Sequence, residues 1–197
     1  MRLNKLQKGL WALVAVALMA VGAAVVFIDR SSPSVEQAEF RPIFALPDAD
    51  GRLRSQADFP GKHLLVFFGF TNCPDICPTT LAEVAQVMDD LGELSNDVQP
   101  LFISIDPERD RELGLDEYTE AFHPSILGLA GDAAQTRAAA DSFRIYYERE
   151  DNADAPDGYA ISHSPALYLI SPEGDWLGQF TYGTPASEIL AELKARL

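Results

Sequence analysis

HLLVFFGFTNCPDICPTTLAEVAQV, residues 63–87, is the stretch that decides the fold. Its first eight residues, 63–70, form a continuous apolar run rich in aromatic and branched side chains, as expected of a strand buried on both faces. Residues 78–95 read as a helix, because Leu81, Val84, Ala85, Met88 and Leu91 recur at three- and four-residue spacing. Pro78 suits the first helical position. Between strand and helix lie both cysteines of the chain, Cys73 and Cys77. The carboxyl end of a buried strand is where open α/β sheets bind their ligands.

The same pattern continues outward. Residues 98–106 read as a second buried strand. Residues 107–122 read as a polar helix with an apolar stripe at Leu113, Tyr118 and Phe122, and 126–131 as a third strand. Residues 131–143 are expected to be helical, with Asp132 as the cap. A short strand over 144–150 runs into a hydrophilic segment, 148–159, expected to be a loop. Residues 166–183 read as an antiparallel hairpin around the turn SPEGD, and 184–197 as a closing amphipathic helix. Turn signals at PDADG and FPG place a short hairpin and loop in 41–62. Strands alternating with helices imply an α/β sandwich with a mixed, partly parallel sheet and helices on both faces.

The net charge of −15 is unevenly placed. Residues 1–30 carry +3 and the remaining 167 carry −18. An acidic domain of that kind repels nucleic acid. The positive end precedes GLWALVAVALMAVGAAVVFI, residues 9–28, an uncharged run long enough to cross a bilayer as a helix. The positive-inside rule then leaves the short tail in the cytoplasm and exports the domain. The expected organisation is a tail and transmembrane anchor over 1–28, a polar linker over 29–39 and a domain over 40–197. The alternative is a cleaved signal peptide, for which VGAA offers small residues. A bacterial inner-membrane protein facing the oxidising periplasm fits this pattern, and a cysteine pair there must resist oxidation or use it.

Residue chemistry alone leaves three roles open for the pair: a stabilising disulfide, a redox-active dithiol, or a metal site. Cys77 falls at a helix N-terminus, where the dipole favours a thiolate. The disulfide by itself adds little, since a ring this small gains little from loop closure. Two thiolates with one further donor suit a soft ion, above all Cu(I). Three histidines compete for the third place. His63 starts the first buried strand, at the end away from the cysteines. His123, in FHPS, reads as a packing or capping residue. His163, in GYAISHSPALYL, lies just before a strand, where it can come down beside the cysteine turn.

FFGFTNCPDICPTTL, ISIDPERD, FHPSILGLAG and ISHSPALYLISPEG, in this order, resemble the Sco/SenC family of copper-binding assembly proteins over roughly residues 38–197. The resemblance implies a thioredoxin-like (glutaredoxin-like) fold and copper bound by Cys73, Cys77 and His163. It implies a role in building the dinuclear copper centre of cytochrome c oxidase subunit II, by delivering copper, by reducing the target's cysteines, or both. Other periplasmic copper carriers are further expected partners. Many members carry an acidic residue just before the histidine, where this chain has Ser162, which puts the orientation of the imidazole in question. Asp106 matches a family aspartate and reads as a strand-end turn residue, with support of the copper loop as the alternative.

Three rivals remain at this level, the last of them a structural or sensory module without turnover. As a thiol-disulfide oxidoreductase, the chain would use Cys73 as nucleophile and Cys77 as resolving thiol. A peroxiredoxin-like peroxidase needs a threonine three residues before its reactive cysteine. Thr71 stands two before Cys73 and Pro74 three before Cys77, so that reading fails.

Overall fold

The computed structural model describes Trp11, Met19, residues 40–155 and residues 157–197. The expected membrane anchor and the linker over 29–39 therefore lie outside the described residues, apart from Trp11 and Met19. Among the described residues, no helix is long and apolar enough to cross a membrane.

A two-residue hairpin, β1 (Leu46–Pro47) with β2 (Leu53–Arg54), precedes the strand on which the fold is built, β3 (His63–Gly69). All seven residues of β3 are buried. Helix α1 (Ile76–Leu91) leads to β4 (Val98–Ser104), followed by two short helices, α2 (Pro107–Glu112) and α3 (Leu115–Glu120). Then come β5 (Leu127–Leu129), α4 (Ala133–Ser142), β6 (Tyr147–Asp151), β7 (Tyr159–His163), β8 (Ala166–Ile170), β9 (Trp176–Thr181) and α5 (Ala186–Lys194). The main sheet has the order β5-β4-β3-β8-β9. β3, β4 and β5 run parallel, and β8 and β9 run antiparallel to their neighbours. This is the mixed α/β sheet that the alternation of elements implies.

The period of two along β3 splits its side chains between two cores. Leu64, Val66 and Phe68 meet Ala139, Ala140 and Phe143 at the end of α4. Leu65 and Phe67 meet Leu81, Val84 and Met88 of α1 together with Ile189 and Leu193 of α5. Helices therefore cover both faces. Asp132 caps α4, accepting a hydrogen bond from the Gln135 N–H at 2.8 Å, while the Gln135 side chain accepts from the Asp132 N–H at 2.9 Å. Replacing Asp132 by alanine is expected to lower stability by about 1 kcal/mol, measured as a shifted denaturant midpoint with unchanged slope.

Three expectations need correcting. The helix expected over 107–122 is broken at Gly114, whose φ of 78° is left-handed and ends one helical turn before the next begins. The helix expected to open on Pro78 opens two residues earlier, so Pro78 is its third residue. The N–H groups of the first turn have no intrahelical acceptor, so proline loses nothing there. The segment 148–159 is not a loop throughout. Its ends belong to the antiparallel ribbon β6–β7, with Glu148 opposite Ser162 and Asp151 opposite Tyr159. Strand β6 is exposed on both faces beyond Tyr147, so it lacks the apolar alternation that marks a strand in sequence. Stacking holds it instead: the Arg149 guanidinium lies 3.4 Å from the Tyr159 ring centroid and that of Arg137 lies 4.1 Å from the Tyr147 centroid.

Candidate metal centre

The chain leaves β3 at Gly69, turns through residues 70–75 and enters α1. The turn closes with the Cys73 N–H donating to the Phe70 carbonyl at 3.2 Å. Cys77, the second residue of α1, is fully buried, whereas Cys73 is half-buried at the mouth of a cleft of about 780 Å³. Both cysteines are free. The Cys77 N–H points at the Cys73 sulfur, 3.5 Å away, as a helix N-terminus offers its unpaired donors to an anion.

The Cys77 sulfur sits over a gap in β3. A Cβ on Gly69 would lie 2.7 Å from Cys77 Sγ and 2.9 Å from the ring of Phe102, so only glycine leaves this space.

β7 delivers His163 from the opposite wall. Its Nε2 lies 4.0 Å from Cys77 Sγ. Its Nδ1 lies 3.2 Å from the Ser164 carbonyl. A carbonyl only accepts, so the proton is on Nδ1 and the Nε2 lone pair faces the cysteines. The edges of the Phe67 and Phe70 rings fix the imidazole plane, with centroids 6.2 and 6.0 Å away. In this chain, where Ser162 precedes the histidine, the Ser164 carbonyl orients the imidazole.

Cys73, Cys77 and His163 each bring one donor atom, and the three lie within 4.8 Å of one another. His63 and His123 stand apart from this group. His63 is at the far end of β3. His123 receives the Ser125 N–H on Nδ1 at 3.1 Å and faces Asp89 at 3.5 Å, the packing role expected of it.

Without metal, the two sulfurs differ in charge. The Cys73 thiol is lowered to about 3, first by hydrogen bonding with Cys77. The Cys77 thiol is pushed well up by the same hydrogen bond, by burial and by the neighbouring Cys73 charge. One proton stays on Cys77 and one thiolate sits at Cys73, at the edge open to the cleft.

Several supporting contacts carried no signal in the sequence. Asp157, at the ribbon tip, accepts from the Asn72 side chain at 2.7 Å and pairs with Arg109 at 2.8 Å. The Tyr159 hydroxyl donates to Asp106, and Arg109 lies 3.7 Å from the same carboxylate. Asp106 is therefore both the turn residue after β4 and a tie to the ribbon. The Tyr182 hydroxyl donates to Asp75 at 3.3 Å. Apart from the local Asp106–Arg109 pair, each contact joins segments far apart in the chain, and local spacing does not reveal such pairs.

A family model described as SCO1/SenC matches residues 32–197. The SCO2-like protein of Rickettsia felis is 37% identical over 151 residues, covering 77% of this chain and 74% of that protein. The mitochondrial SCO2 homolog of Bos taurus is 40% identical over 156 residues, covering 78% of this chain but 58% of that protein. Among solved structures, copper-bound ScoI of Bradyrhizobium japonicum superposes with a TM-score of 0.72 at 34% identity, covering 80% of this chain and 99% of that one. With this fold, these motifs and a match across most of its length, the chain belongs to the SCO1/SenC family.

Proposed function

We propose that this chain is a copper-binding assembly protein that loads the dinuclear centre of cytochrome c oxidase subunit II. The observation that carries the reading is the Cys73–Cys77–His163 group, whose three donor atoms converge within 4.8 Å at the mouth of a cleft. Two sulfurs and one imidazole make a soft donor set, the kind suited to Cu(I), and copper-bound ScoI shares the fold. Copper is cargo in this reading. Cys73 meets it first, because its sulfur is already a thiolate at the cleft; Cys77 gives up its proton and His163 closes the set through Nε2. Capture therefore releases a proton, and affinity falls as pH drops. Residues 9–28 anchor the domain 40–197 to the bacterial inner membrane through the linker 29–39, with the site in the periplasm. Other periplasmic copper carriers fit as donors. The test is copper competition with a chromophoric Cu(I) chelator, using reduced full-length chain. His163→Ala is expected to weaken binding by at least about 10–100-fold. Unchanged affinity in that variant overturns the three-donor site.

A second reading, a thiol-disulfide oxidoreductase acting on an exported target, is favoured by the low-lying Cys73 thiolate beside a free Cys77. Cys73 would attack a target disulfide, releasing one target thiolate; Cys77 would then attack the mixed disulfide, leaving the target reduced and this pair oxidised. Rapid exchange by copper-free protein would support this reading, and its absence would remove it.

A further inference from the structure

Asp110 of α2 is fully buried, yet among the described residues it forms no ion pair. Its partners are hydrogen-bond donors. Thr71 gives its backbone N–H at 3.2 Å and its hydroxyl at 2.8 Å, and Ser104 gives its hydroxyl at 2.6 Å. The Ser104 oxygen in turn accepts the Asp106 N–H at 3.1 Å. Burying a carboxylate without a counter-ion is unfavourable, and here burial pushes its pKa up. A neutral side chain would avoid that penalty, so the folding of α2 does not explain the charge.

Thr71 does. It is the first residue of the turn between β3 and Cys73, beyond the last ladder pair, Gly69 with Ser104, so its N–H has no strand to bond to. Asp110 holds this residue by backbone and side chain at once, and bonds to an ionised acceptor are stronger and shorter than neutral ones. Two residues later the chain must set Cys73 Sγ against the Cys77 N–H. We propose that Asp110 is a positioning residue of the metal centre, acting through Thr71 to fix the turn that carries Cys73.

This rests on the copper reading for one measurement only. The test uses reduced full-length chain in five forms: wild type, Asp110→Asn, Thr71→Val, their double variant, and Thr71→Ser as the control that keeps the hydroxyl. Each is measured for Cu(I) affinity by chelator competition and for the midpoint potential of the Cys73–Cys77 couple. The expected result is an affinity loss of about tenfold in each single variant, the scale of a lost supporting contact. The double variant should lose less than the product of the two single losses, because both weaken the same Asp110–Thr71 link. The potential should shift by a similar amount in all three variants, and Thr71→Ser, which keeps the hydroxyl, should restore wild-type values. Losses that multiply in the double variant overturn the proposal. So does an Asp110→Asn protein with altered melting but unchanged affinity and potential. If wild type takes up no copper, the functional reading falls, while the potentials still decide the role of Asp110. If Asp110→Asn does not fold, Thr71→Val and Thr71→Ser decide it alone.

Discussion

Cys77→Ser is expected to abolish stoichiometric copper binding while leaving the fold nearly as stable as before. Serine fits the space, since it is smaller than cysteine and the site is closed by Gly69 and Phe102. Its hydroxyl is a hard donor that does not ionise at neutral pH, so a soft ion loses one of two sulfurs. The loss should exceed the roughly 10–100-fold that removal of a supporting contact costs. Metal analysis of reduced protein reads the outcome, and a variant that retains one copper per chain would remove Cys77 from the ligand set. The same variant carries a second, metal-free signature. The lowering of Cys73 to about 3 is owed first to its hydrogen bond with Cys77. The C–O bond is shorter than the C–S bond, so the serine hydroxyl stands back from the Cys73 sulfur and that hydrogen bond is lost, and the pH at which Cys73 is alkylated should move up toward the ordinary thiol range. The thiolate fraction at a given pH then falls, and alkylation near pH 5 should slow. An unchanged alkylation profile would mean that Cys77 does not set the charge of its partner.

The parts of this site that sequence reading recovered share a physical character. β3 is legible because burial on both faces forces an unbroken apolar run. Asp132 is legible because a cap acts on its own helix. His163 is legible through its place before a strand and through the family resemblance. What stayed hidden depends on distant pairs or on exposed backbone. Strand β6 of the ribbon is made mostly of charged residues, with Arg149 stacked on Tyr159 of β7, and nothing in EREDNADAPDGY alternates in hydropathy. Asp110 sits in PERDRE, where an acidic residue in a polar helix reads as solvent-facing; only the fold brings Thr71 and Ser104 over it. The same holds for Asp157, whose partners Asn72 and Arg109 lie 85 positions earlier in the first case and on another element in the second. The three candidate donors were visible in the sequence, and the scaffold that brings them together was not.

Gly69→Ala is expected to be the most disruptive single methyl group that can be added near the centre. Gly69 is not in the left-handed region, so alanine meets no backbone penalty and the whole effect is steric. The new Cβ would stand 2.7 Å from Cys77 Sγ and 2.9 Å from Phe102 Cε2, and neither neighbour can retreat easily. Cys77 is tied to α1, whose Leu81 and Val84 are locked in the core, and Phe102 is fully buried on β4. Overpacking of this kind costs about 1–3 kcal/mol, which in a chain of this size lowers Tm by roughly 2–4 °C for each kcal/mol. Gly178 on β9 supplies the control: it also lacks a positive φ, and a Cβ there meets nothing within 4 Å. Gly178→Ala should therefore melt within about 2 °C of wild type, since substitutions away from such features stay within roughly 0.5 kcal/mol. The two variants add the same methyl group to the same sheet, so propensity and unfolded-state effects cancel between them. What remains is the displacement of one sulfur. Gly69→Ala should consequently weaken copper binding as well as stability, whereas Gly178→Ala should change neither. If both variants melt together and bind copper alike, the sulfur of Cys77 does not rest against β3, and the close approach that shapes the centre is wrong.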